Sequence, residues 1–246
     1  MTTASAPEKI ILFGEHAVVY DRPALAVPVT EVQAQAQIAD SPRPGLWIEA
    51  PAVGLNAEVN ALPSDHPLAA VVHNLLFSLG ISPFPALQIK ITSSIPVASG
   101  LGSGAAVTVA LTRALAEHLG RPLADEQVNA FAYEIEKLHH GTPSGIDNTV
   151  ITYARPVYFV KGKVMERLTV ARPFTLVIGD TGILAPTRAS VADVRRLWET
   201  DRERWEAAFD RVGLIAEEVR RLIESGEIEA LGGSMDRNHA LLQEMT

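Results

Sequence analysis

Pro96-Val-Ala-Ser-Gly-Leu-Gly-Ser-Gly-Ala-Ala106 is the stretch that decides how this chain is read. Gly100, Gly102 and Gly104 stand at alternate positions and open directly into a helical pattern. Val107, Leu111, Leu115 and Leu119 then fall four residues apart on one stripe. Glycine lets consecutive backbone N–H groups turn toward one point with no Cβ in the way. A helix N-terminus adds unpaired N–H groups and a partial positive charge. Together they form a site for phosphate, which points to a nucleotide enzyme. A glycine-rich helix entry without a ligand is the plain alternative.

Two familiar phosphate loops fit poorly. A Walker loop ends in Gly-Lys-Ser/Thr, and no lysine follows Gly104. A dinucleotide loop needs Gly-x-Gly-x-x-Gly/Ala on a tight strand-to-helix turn, which Gly100, Gly102 and Ala105 match in letters. However, Thr92 to Ser99 separate the loop from its strand, and Glu117, about 20 residues on, falls inside the helix rather than at a strand end.

Outward from the loop, residues 86–92 alternate as a strand with one wet face, and residues 67–79 carry a helix period. Residues 9–13 and 25–39 read as strands, and 41–66 as strands and loops of low regularity. On the C-terminal side Gly120 and Pro122 stop the first helix. Asp125 is placed to cap a second helix with a buried stripe of Val128, Phe131, Ala132, Ile135 and Leu138. Residues 140–148 read as a loop, with strands near 149–153, 156–161 and 174–178 and a turn at Lys161-Gly162-Lys163. From Val191 onward the pattern is helical, its many charges forming a solvated face. A domain boundary is expected near 165–172.

The 246 residues suffice for one large domain or two smaller ones. The chain is 47% hydrophobic and 20% charged, as a soluble globular protein is. A net charge of −8 argues against a general nucleic-acid or membrane-surface binder. No cysteine is present, which excludes disulfides, thiolate zinc sites and a cysteine nucleophile. The N-terminus lacks the apolar core of a signal peptide and no apolar stretch is long enough to span a bilayer, so a cytoplasmic enzyme is expected.

The loop has two companions. Lys9-Ile-Ile-Leu-Phe-Gly-Glu-His-Ala-Val-Val19 precedes it, and His140-Gly-Thr-Pro-Ser-Gly-Ile-Asp-Asn148 follows it. In this order the three resemble the motifs of the GHMP small-molecule kinases, most like the mevalonate kinase group. The Glu-His after Gly14 and the Pro-Ser-Gly-Ile-Asp-Asn run favour that group over homoserine, galactose or phosphomevalonate kinases. The resemblance implies an α+β fold: a ribosomal S5 domain 2-like N-terminal domain (1–168, with the ATP and metal site) and a ferredoxin-like C-terminal domain (169–246). It also implies transfer of the ATP γ-phosphoryl group to the primary alcohol of (R)-mevalonate, giving 5-phosphomevalonate. The partners would be that small molecule, with no nucleic acid or membrane, and a homodimer is a candidate assembly.

Site roles follow from the same resemblance. Pro96, Ser99, Gly100, Leu101, Gly102, Ser103, Gly104 and Ala105 would hold the ATP phosphates. Asp147 would orient, and in one version deprotonate, the acceptor hydroxyl, with Lys9 beside it keeping the carboxylate ionised. Glu136 and Ser103 would hold Mg2+, a hard ion that keeps several waters. Ser103 has an N-cap as its other reading, and the family's usual second serine is Gly104 here. Glu15, His16 and Thr187 would face the substrate, and Ser144 and Gly145 would shape the loop that presents Asp147. The bland alternatives are a turn aspartate, an exposed lysine, a solvated helical glutamate and a packed histidine. The family's third, Gly-rich motif near the C-terminus is not found, so the C-terminal domain is expected to be incomplete. A catalytically impaired fragment, a nucleotide- or metabolite-binding protein, and a kinase with another alcohol acceptor therefore stand as alternatives.

Overall fold

Alternation of small apolar and polar residues along Ala24–Asp40 builds the strand on which the rest is arranged. Ala34, Ala36 and Ile38 are buried while Gln33, Gln35 and Gln37 point the other way. In the computed structural model, which describes residues 1–94, 102–140, 143–179 and 187–245 (side chains of 139, 140, 187 and 188 excepted), this strand is β2. β1 (Thr2–Phe13) pairs antiparallel along one side of it. β5 (Leu87–Ser93) pairs with the C-terminal half of the other side, and β6 (Val157–Phe159) with the N-terminal end. β3 (Leu46–Ala50) joins β5 in parallel, β4 (Leu55–Glu58) closes that edge, and the two-residue β7 (Glu166–Arg167) borders β6. The β1–β2 register shifts between Pro7 and Glu8, opposite Thr30–Val32, which re-aims the side chains that follow.

Helices α1 (Pro67–Ser78), α2 (Ser103–His118) and α3 (Asp125–His140) cover one face. α2 lies across β1 and β2. Its Ala105, Ala106 and Ala110 meet Ala6, Ala34 and Ala36 in one core, and residues this small bring helix and sheet backbones close. α4 (Ile146–Tyr153) packs beside α2 and α3. The C-terminal helices α5 (Thr187–Thr200), α6 (Arg202–Ser225) and α7 (Leu231–Gln243) form a second core with the same sheet. There Phe209, Val212, Ala216 and Val219 of α6 share a cluster with Phe13 and Leu25. Tyr20 stacks on Phe209 with ring centroids 4.2 Å apart. Arg22 binds Glu206 at 2.6 Å and Asp210 at 2.8 Å, fixing the β1–β2 connection to α6.

Four expectations are corrected. Residues 149–153 are helix, not strand: the β-branched run Thr149-Val150-Ile151-Thr152 is buried among α2, α3 and β1, and that packing overrides its strand preference. Residues 174–178 form no strand; Val177 is 94% exposed, and no neighbouring strand offers the segment a partner. Leu138 is 63% exposed, one turn beyond the point where α3 leaves the core. Asp125 lies inside α3, and its carboxylate is taken by Arg113 of α2 at 2.6 Å; Gln127 accepts from the Ala124 N–H instead. Among the described residues no strand follows Arg167.

Candidate active site

β1 carries Lys9 under the start of α2, where it is 6% exposed. Its Nζ lies 3.0 Å from Asp147 Oδ1. Asp147 sits in the first turn of α4, where unpaired N–H groups and the helix dipole favour negative charge. That helix starts where it does because Gly145 caps it with φ +90°. The Ile146 N–H donates to Ser144 Oγ at 3.3 Å, and Thr149 Oγ1 donates to the Gly145 carbonyl at 2.6 Å. Asn148 Nδ2 donates to Asn129 Oδ1 at 2.6 Å, locking α4 to α3. The expected loop around Asp147 is therefore a capped helix end, which holds the carboxylate more firmly than a loop would.

α3 brings Glu136 to the same place. Burial, then the nearby Asp147 carboxylate, raise its pKa to about 8, with Lys9 opposing. Two carboxylates thus share one ammonium. A further positive charge between them would relieve the repulsion, and oxygen donors of this kind suit a hard divalent cation. Among the described residues no three His, Asp or Glu side chains gather into a metal cage. The residues present therefore fit an ion that takes much of its coordination from phosphate and water, as magnesium does.

The glycine loop enters from the other side. Gly102 has φ +86°, and a Cβ there would stand 3.2 Å from Lys9 Cε, 3.3 Å from Lys9 Cγ and 3.0 Å from Ile151 Cδ1. Its backbone therefore rests on the methylene stem of the lysine whose ammonium holds Asp147. Gly102 is also the N-cap of α2, so Ser103 is the first helical residue and not the cap. A Cβ on Gly104 would meet nothing within 4 Å, and Ala105 belongs to the main core. Pro96, Ser99, Gly100 and Leu101 lie outside the described residues.

The turn after β1 supplies the third component. Gly14 has φ +100°, and a Cβ there would collide with Ala24 at 2.5 Å. Only glycine allows the chain to turn so close to β2. His16 follows at φ 59°, a strained backbone for a residue with a side chain. Burial lowers the His16 pKa, favouring the neutral ring. Burial also raises the Glu15 pKa, opposed by backbone N–H groups, by Lys9 and by Asn238 of α7, whose Nδ2 donates to Glu15 Oε2 at 3.1 Å. His16 lines a cavity of about 360 Å³ with Ser190, Asp193 and Leu197 of α5. Thr187 opens α5, and its side chain lies outside the described residues.

Lys9, Gly102, Glu136 and Asp147 thus converge from four separate elements, with Glu15 within electrostatic reach of Lys9. Sequence reading missed Asn238. Its signal was a polar residue on the buried stripe Leu231, Ser234, Asn238 and Leu241 of α7.

The family model for the GHMP kinases N terminal domain matches residues 67–155. The chain is 34% identical to a mevalonate kinase of Pyrococcus furiosus over 257 residues, covering 97% of this chain and 76% of that one. It superposes on L. major mevalonate kinase solved with R-mevalonate (TM-score 0.77, 26% identity, 100% of this chain and 76% of that one). It also superposes on Streptococcus pneumoniae phosphomevalonate kinase solved with phosphomevalonate and AMPPNP (TM-score 0.84, 14% identity, 100% and 81%), a likeness of fold alone.

Proposed function

The chain belongs to the GHMP kinases, in their mevalonate kinase branch, and on that premise we propose that it moves the γ-phosphoryl group of ATP to the primary hydroxyl of (R)-mevalonate. The products are 5-phosphomevalonate and ADP. The observation that carries this reading is the contact of Gly102 with the Lys9 stem, whose ammonium is 3.0 Å from Asp147. It supports the reading because Gly102 and Asp147 both lie against one side chain.

In this reading the loop from Pro96 to Ala105 holds the phosphates with backbone N–H groups at the α2 N-terminus. Asp147 accepts a hydrogen bond from the acceptor hydroxyl and takes its proton as the O–P bond forms. The bond to the β-phosphate oxygen breaks in line with it, and ADP leaves with the electron pair. Lys9 pairs with Asp147 beforehand and offsets the negative charge that grows on the attacking oxygen. Glu136 and Ser103 are the residues that would hold Mg2+. When bound, that ion neutralises charge on the β- and γ-phosphate oxygens. Glu15, His16 and Thr187 face the acceptor, while Ser144 and Gly145 fix the start of α4. Residues 1–168 and 169–246 are proposed as the nucleotide-binding and acceptor-covering parts. Among the described residues no helix is long and apolar enough to cross a membrane.

Purified protein given ATP, Mg2+ and (R)-mevalonate should release ADP, and Asp147→Asn should not. Mevalonate should outperform phosphomevalonate, homoserine and galactose assayed side by side. Equal turnover of another alcohol, or ADP release unchanged by Asp147→Asn, would overturn this assignment.

A further inference from the structure

We propose that Asn238 is a positioning residue for the acceptor site, acting through Glu15. This rests on the reading of Glu15 as an acceptor-facing group. The observation that carries it is the Asn238 Nδ2 to Glu15 Oε2 hydrogen bond of 3.1 Å, between residues 223 positions apart in sequence. It ties the last helix of the chain to the turn that follows the first strand.

Asn238 is 4% exposed on a helix face that it shares with Leu231, Ser234 and Leu241. Packing alone would be served better by leucine, because a buried amide that lacks partners costs about 1–3 kcal/mol. Its Oδ1 is buried and has no hydrogen-bond partner. The amide is therefore oriented by what it gives to Glu15, not by a network of its own. Glu15 needs such a hold. It stands between Gly14 and His16, both at positive φ, on a turn that Ala24 prevents from shifting. The other groups that address its carboxylate are backbone N–H groups of that same turn and, at longer range, Lys9. Asn238 donates to that carboxylate from outside the turn. It holds the carboxylate beside Lys9 in one rotamer, so the acceptor meets a fixed acceptor of hydrogen bonds and not a swinging one.

The test compares Asn238→Leu, Glu15→Gln and the double variant by steady-state kinetics and thermal melting. Asn238→Leu keeps the branched outline and the number of heavy atoms, although it is bulkier, and removes the donor. It should raise the KM for mevalonate about tenfold, leave the KM for ATP and kcat within about threefold, and melt in one transition within about 5 °C of the parent. Glu15→Gln should raise the same KM, and the double variant should be no worse than the weaker single one. If Glu15→Gln changes nothing, the reading of Glu15 fails. If Glu15→Gln raises the KM while Asn238→Leu does not, or if the two effects multiply, the role of Asn238 fails and that of Glu15 stands. A lowered melting temperature with kcat lowered and the KM values for mevalonate and ATP raised alike would mark Asn238 as structural and overturn the proposal. Should Asn238→Leu not fold, Asn238→Ala is read by the same criteria.

Discussion

Lys9 answers to two carboxylates and one backbone, so its replacement has more than one effect. Lys9→Met leaves Asp147 and Glu136 facing each other without a cation, and kcat/KM should fall by about 10²–10⁴-fold in an ADP-release assay. Asp147→Asn removes the proposed proton acceptor while keeping its shape, and kcat should fall by a similar factor with the KM for ATP little changed. Glu8, next along the strand, is a separate case. It is 1% exposed, its Oε1 has no partner, and burial raises its pKa to about 7, with Lys9 opposing. Because the folded value lies above the unfolded one, the protonated form is favoured by folding. That contribution is whole below about pH 4.5 and fades as the pH rises through 7. Glu8→Gln cannot ionise, so at pH 8 it should be more stable than the parent by about 1–3 kcal/mol, and near pH 5 by little. Melts at the two pH values check this, and an equal shift at both would contradict it. At this scale Lys9 and Asp147 stand in short local patterns, Glu136 was reached only by the spacing that the resemblance implies, and the structure brings the three side chains together. Asn238 was not legible, since its partner lies at the other end of the chain.

Among the elements, the turn at Gly14–His16 and the entry to α2 respond in opposite directions to the same substitution. Gly14→Ala puts a methyl 2.5 Å from Ala24 in a backbone region costly for alanine, and should lower stability by about 2–4 kcal/mol in urea titration. Gly104→Ala places its methyl in open space within a helix, and should raise stability by about 0.5–1 kcal/mol. Most elements could be read from period and punctuation: β2, β5, α1 and α2 lie where alternation or a four-residue stripe put them. Two could not. α4 is short and β-branched, and only its burial between two helices and β1 makes it helical. Phe174–Ile178 has the composition of a strand but no neighbour to pair with, and a strand exists only as half of a pair.

At the scale of the molecule, α6 and the sheet answer as one body, because Phe209 shares a core with Phe13 and Leu25 and stacks on Tyr20. Phe209→Ala should therefore cost about 3–5 kcal/mol and move the whole melting curve, seen by circular dichroism and tryptophan fluorescence together. An early transition that loses part of the helical circular-dichroism signal together with a fluorescence change, ahead of the main melt, would show that the C-terminal helices unfold by themselves. The same compactness bears on the chemistry through Lys9. Gly102 sits on its methylenes and Asp147 on its ammonium, so in the proposed reading one four-carbon stem gauges the interval between nucleotide and alcohol. An arginine there would keep the charge and lengthen the ruler. Both substrates would still dock, but at a spacing the phosphoryl group could not bridge.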